Sequence, residues 1–152
     1  MRCGIDNLDH VNSILQHESI YPFITDDGSP SAEDFTVEPL LSNEGCYLLA
    51  PDEYSVFMFV PMNEITYDLH VNVISEGRGQ AAVKSIAEAT EWMFENTPCQ
   101  KIIGYIPTIC PNVYKFALKT GFEREGYLTK SWKKDGQLYD QYLITMTKEN
   151  LK

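Results

Sequence analysis

Long hydrophobic runs are missing from this sequence. Its unbroken apolar stretches extend only a few residues, far short of the roughly 20 needed to cross a bilayer. The opening MRCGIDNLDH lacks the apolar core of a targeting segment, so a soluble, cytoplasmic protein is expected. Cysteine is sparse. Cys3, Cys46, Cys99 and Cys110 form no CxxC pair and have no histidine nearby, which argues against a zinc centre or a redox motif and leaves reduced thiols and no metal as the expectation. Internal repeats and a linker are also missing, and 152 residues suit one domain spanning residues 1–152, large enough to bury a core without staples.

Basic residues are nearly absent from the first half. Residues 1–77 hold 14 Asp and Glu against Arg2 alone, a net charge of -13, whereas residues 78–152 carry 11 Lys and Arg against 8 acids, or +3. Nucleic acid and anionic membranes are recognised through Lys and Arg clusters, so neither is an expected partner. The split suggests instead a basic half that holds an anionic ligand and an acidic half that draws in a cation such as an amine. Asp26, Asp27, Glu33 and Asp34 are candidate contacts for that cation.

What is present reads as an α/β chain of the mixed, α+β kind. Leu8, Val11, Ile14 and Leu15 recur at helical spacing within 7–17. The Pro- and Asp-rich segment 21–35 reads as a loop. GCYLLA (45–50) and YSVFMFV (54–60) form a hairpin about Pro51-Asp52-Glu53. A third strand, 64–74, alternates Tyr67, Leu69, Val71 and Val73 on a packing face with Thr66, Asp68, His70 and Asn72 on a polar one. After a tight turn at 75–79, a long helix covers 80–96, with Ala82, Ile86, Ala89 and Met93 three or four apart. A strand at 101–107, a helix at 111–120 stopped by Gly121, and closing strands at 122–127 and 137–147 complete the order.

The turn into the long helix carries chemistry. A helix N-terminus offers unpaired N–H groups and about half a positive charge, which suits a phosphate. Gly77 and Gly79 clear space, Ala81 and Ala82 keep the first turn slim, and Arg78 adds a guanidinium. Together they fit a pyrophosphate.

The tract YDLHVNVISEG, RGQAAVKSIAEATEWMFEN, KIIGYIP and PNVYKFALKTGFEREGYL resembles the two cofactor-binding motifs of the GNAT N-acetyltransferases over about 65 residues. Arg78-Gly79 opening a long helix and Thr120-Gly121-Phe122-Glu123 followed by Gly126 are its most specific matches. The tract RGQAA is also similar to GNAT-like proteins of bacteriophages, which would place the protein in host cytoplasm or a virion. The resemblance implies a mostly antiparallel sheet splayed at the cofactor site and flanked by helices. It also implies acetyl-CoA as co-substrate and direct attack by an amine, on a small molecule or a protein, with a homodimer as a possible assembly.

Carried over residue by residue, the resemblance assigns the cofactor to Arg78, Gly79, Gln80, Ala81 and Ala82, to the backbone of Asn72, Val73 and Ile74, and to Asn112. It assigns a general base to the polar face of the third strand, where His70 is preferred and Asp68 or Glu64 are alternatives. Departures accompany it. Ala81 and Val83 stand where the family's loop has smaller residues, Cys110 stands for an Asn, and Ala117 stands for the Tyr that protonates the leaving thiolate. Tyr114, one turn away, is the candidate substitute. Those departures leave a second reading open, a GNAT-fold protein without catalysis that serves as a binding or structural component.

Overall fold

The computed structural model describes residues 1–151. Six strands form one sheet in the order β1-β2-β3-β4-β6-β5. They are β1 (Tyr47–Leu49), β2 (Ser55–Pro61), β3 (Thr66–Val73), β4 (Lys101–Pro107), β5 (Glu123–Lys134) and β6 (Gln137–Thr147). Every neighbouring pair is antiparallel except β3 and β4, which run parallel. This is the mixed, mostly antiparallel sheet that the family resemblance implied.

Helices cover both faces. The helix α4 (Gln80–Asn96) buries Ala82, Ile86, Ala89, Met93 and Phe94 against Phe57, Phe59, Leu69 and Ile102 of the sheet. This is the stripe that the three-and-four spacing predicted. The helix α5 (Pro111–Lys119) lies on the same side. It stops where Gly121 takes φ 103 and the Phe122 N–H returns to the Ala117 carbonyl at 3.1 Å, an arrangement that favours glycine at the left-handed position. On the opposite face α1 (Leu8–Leu15) packs Val11, Ile14 and Leu15 over Leu48, Val56 and Met58. Two one-turn helices, α2 (Tyr21–Ile24) and α3 (Glu38–Leu41), lie in the connection after it.

Two boundaries differ from expectation. β5 runs on to Lys134 rather than stopping at Tyr127, because an edge strand facing water on one side can be as polar as TKSWKK and still keep its ladder with β6. Asp135-Gly136, with φ 51 and 76, is the two-residue turn joining these strands, and Asp-Gly is its usual sequence. The polar face of β3 is also less open than alternation suggested. Asn72 is wholly buried, its side-chain amide donating to the carbonyls of Val56 at 3.1 Å and His70 at 3.3 Å, because α1 closes over that end of the strand.

The parallel pair positions everything that follows. β3 and β4 hold register only through Thr66↔Lys101, Tyr67↔Ile102 and Asp68↔Ile103. Beyond those three pairs the strands diverge, β3 staying with β2 up to Val73 and β4 staying with β6 up to Pro107.

Candidate active site

The divergence opens a cleft of about 720 Å³ that passes through the sheet. Leu69, Val71 and Val73 reach it from the α4 side of β3, and Asp68 and His70 from the α1 side. One end meets the start of α4 at Arg78, Gly79 and Ala82 and the start of α5 at Asn112. The other end lies under α2 and the β5–β6 hairpin, at Phe23, Ile24 and Trp132.

At the α4 end, the first backbone bond of the helix is Val83 N–H to the Gly79 carbonyl at 3.2 Å. Among the described residues no hydrogen bond reaches the N–H groups of Gly79, Gln80, Ala81 or Ala82, and no side chain caps the helix. Four donors therefore stand ready for an anion. Gly79 takes φ 94 and has nothing within 4 Å of where a Cβ would stand, so its glycine answers to conformation and clearance. Gly77 answers to something else. A Cβ there would come 2.3 Å from the Tyr54 Cβ, so its bareness serves packing rather than the ligand.

Arg78 does not extend toward the helix start. Its Nε donates to the Val73 carbonyl at 3.3 Å and its Nη2 to the Ser19 carbonyl at 2.9 Å, which ties the rim of the cleft to the segment between α1 and α2. Of the three backbone positions expected to line the arm of a cofactor, only Val73 faces the cleft. The Ile74 N–H donates to the Tyr54 carbonyl at 3.0 Å and the Met62 N–H to the Thr66 carbonyl at 2.9 Å. Backbone groups of a strand alternate sides, so Asn72 and Ile74 bond to β2 while Val71 and Val73 turn toward the gap. Val71 is thus the position that the sequence reading missed.

The polar pair of β3 meets at the fork. His70 Nε2 lies 3.2 Å from Asp68 Oδ2, with the imidazole side chain half exposed. Asp68 Oδ1 is buried and has no partner. Glu64, the other candidate base, precedes β3 at its paired end and does not reach the cleft. Tyr114 also fails to reach it. Its ring stacks on Tyr142, with centroids 4.0 Å apart and planes 18° apart, and Ala117 and Phe116 present the α5 surface to the cleft instead. Cys110 lines the cleft, and burial pushes its thiol pKa up.

The acidic loop is committed elsewhere. Asp27 accepts from the N–H groups of Asp135 at 2.8 Å and Gly136 at 2.9 Å. Those bonds hold its carboxyl below the usual carboxylate range and fasten the loop to the hairpin tip. Asp26 accepts from Gly28 N–H and Ser29 Oγ, and Asp34 from Ser31 Oγ. None of the loop acids lines the cleft. Lys134 completes the clamp, donating to the carbonyls of Pro22 at 2.8 Å and Thr25 at 2.7 Å.

No protein-family model matches the sequence, and no curated protein matches it by sequence. Solved structures do match the fold. A spermidine N-acetyltransferase from Vibrio cholerae, determined with CoA and spermine, superposes with a TM-score of 0.78 at 12% identity, covering 99% of this chain and 95% of that one. A ribosomal-protein-alanine N-acetyltransferase from Brucella melitensis superposes with a TM-score of 0.74 at 16% identity, covering 97% and 98%. The fold is that of the GNAT N-acetyltransferases.

Proposed function

We propose that this protein transfers an acetyl group from acetyl-CoA to an amine by direct attack. The observation that carries the reading is the continuity of one cleft: four unpaired amides at the start of α4 lead into the gap between β3 and β4, which ends at His70. The fit is chemical as well as spatial. An anionic diphosphate suits the open N–H groups of Gly79, Gln80, Ala81 and Ala82. A linear amide-bearing arm suits the unpaired backbone of Val71 and the N–H of Val73, whose carbonyl is taken by Arg78, and Asn112 stands at the facing helix start.

When bound, acetyl-CoA supplies an activated thioester. The remaining work falls to the chain. Asp68, beside Nε2, favours the tautomer that carries its proton there and leaves Nδ1 with a lone pair. His70 then takes one proton from the attacking ammonium, the C–N bond forms, the C–S bond breaks, sulfur leaves with the electron pair, and the second proton shed by nitrogen passes to water. Ala117 and the withdrawn Tyr114 leave no tyrosine hydroxyl on the α5 side to protonate it. A thiolate of ordinary pKa, about 8.5, can depart without that help.

Calorimetry tests the first half of the proposal. Micromolar binding of acetyl-CoA is expected, and no binding at millimolar concentration would move the protein to the alternative role of a non-catalytic binding component. His70→Ala tests the second half. It should lower the transfer rate by a factor on the order of 100, the usual worth of a general base, with acetyl-CoA affinity unchanged. An unaltered rate removes His70 from the mechanism.

A further inference from the structure

The far mouth of the cleft is apolar where a binder of polycations should be acidic. Large apolar side chains left in water normally signal a site for an apolar ligand, and here several converge. Phe23 is 58% exposed, Ile109 47% and Tyr105 38%, and all three line the cleft together with Ile24 and Trp132. Among the described residues Asp68 is the one carboxylate that lines it.

Two further observations bear on the charge of the occupant. The buried, unpartnered Oδ1 of Asp68 lacks a donor, and a buried acceptor without one is a costly state that an arriving N–H group would relieve. A fixed cation stands next to Trp132, just outside the lining of the cleft. Lys134 Nζ is anchored to the carbonyls of Pro22 and Thr25 and sits 5.9 Å from the centre of the Trp132 ring. One anionic oxygen at the fork therefore welcomes one ammonium, whereas a second ammonium would lose water against Phe23 and Trp132, on whose ring Lys134 already places a positive charge. Of the acids that might have compensated, Asp26, Asp27 and Asp34 are tied to the loop's own turns and the hairpin, and Glu33 does not line the cleft.

We infer that the acceptor is a small primary amine carrying a single positive charge and an aromatic or branched apolar body, with the ammonium at Asp68 and His70 and the body against Phe23, Tyr105 and Trp132. This rests on the acetyltransferase reading above, and it separates this protein from the spermidine acetyltransferase whose fold it shares.

The experiment compares 2-phenylethylamine, spermidine and a short alanine-leading peptide, both as substrates and, by calorimetry, as ligands of the protein loaded with coenzyme A. Selectivity for 2-phenylethylamine over spermidine of about tenfold or more is expected in kcat/KM, or in affinity should turnover be absent, the size of one poorly solvated charge. Phe23→Asp places an anion at an exposed position where folding is not at stake. It should raise spermidine against 2-phenylethylamine by about tenfold, while Phe23→Asn should not. Equal or better use of spermidine or the peptide overturns the inference and leaves the acetyltransferase reading standing. Binding of none of the three to the coenzyme-loaded protein also overturns it. Failure of acetyl-CoA itself to bind overturns the acetyltransferase reading, and this one with it.

Discussion

The two ends of β3 are built to opposite specifications. At Thr66–Asp68 the strand is paired on both sides, with β2 and with β4, and Tyr67 is buried beneath α4. Toward Val73 it keeps β2 but has lost β4, and its backbone at Val71 and Val73 faces a cleft. The same strand is thus scaffold at one end and site at the other. Ladders on both sides pair the backbone of the first region, and leaving a few groups unpaired is what gives the second region something to bind with.

Breaking the scaffold end should have the largest effect. Ile102, wholly buried opposite Tyr67, should cost about 2–5 kcal/mol of stability on truncation to Ala, as large-to-small core changes do. Chemical denaturation measures this, and acetyl-CoA affinity extrapolated to the fully folded protein should not change. A specific loss of affinity would show that the two ends are not separable.

Gly79→Ala attacks the site end. A φ of 94 at that position is poorly available to alanine, so a penalty on the order of 1–3 kcal/mol is expected, taken as lower stability or as a rearranged helix start. Acetyl-CoA affinity should fall in step. Retained affinity with a shifted backbone would mean that the exposed amides of Gln80, Ala81 and Ala82 suffice alone.

The smallest effect concerns the rim. Asp27 is held below the ordinary carboxylate range by the N–H groups of Gly136 and Asp135, in that order. A carboxyl depressed on folding stabilises the native state above its unfolded pKa, near 3.9, and the benefit is lost as pH falls through the lower folded value. Acidification below about pH 4 should therefore loosen the loop from the hairpin, and Asp27→Asn should remove that step with little effect on stability at neutral pH. Hydrogen exchange at the Asp135 and Gly136 amides reports it directly. Exchange in Asp27→Asn with the same acid dependence as in the unaltered protein would place the sensitivity elsewhere.

Much of this was legible in the sequence because it is local. Alternation along β3, the stripe on α4, the bare start of that helix and the stop at Gly121 each depend on residues within a turn or a strand of one another. The adjacency of Asp68 and His70 follows from their spacing of two. What escaped was set by distant partners. Asp27 looked free for a cation, yet the turn it caps lies more than a hundred residues on. Tyr114 looked available beside Ala117 until Tyr142 of β6 stacked upon it. Gly77 looked like part of the ligand loop, but Tyr54 supplies its constraint. The length of β5 was hidden by its polarity, although Asp135-Gly136 was a readable turn signal.

The short register between β3 and β4 also has a mechanical meaning. Three residue pairs join a plate made of β1, β2 and β3 to another made of β4, β6 and β5, each internally laced by antiparallel ladders. The ladder along that seam is short, so the two plates are held together chiefly by the single core they share beneath α4 and, at the mouth, by the bonds of Lys134 and Asp27 between loop and hairpin.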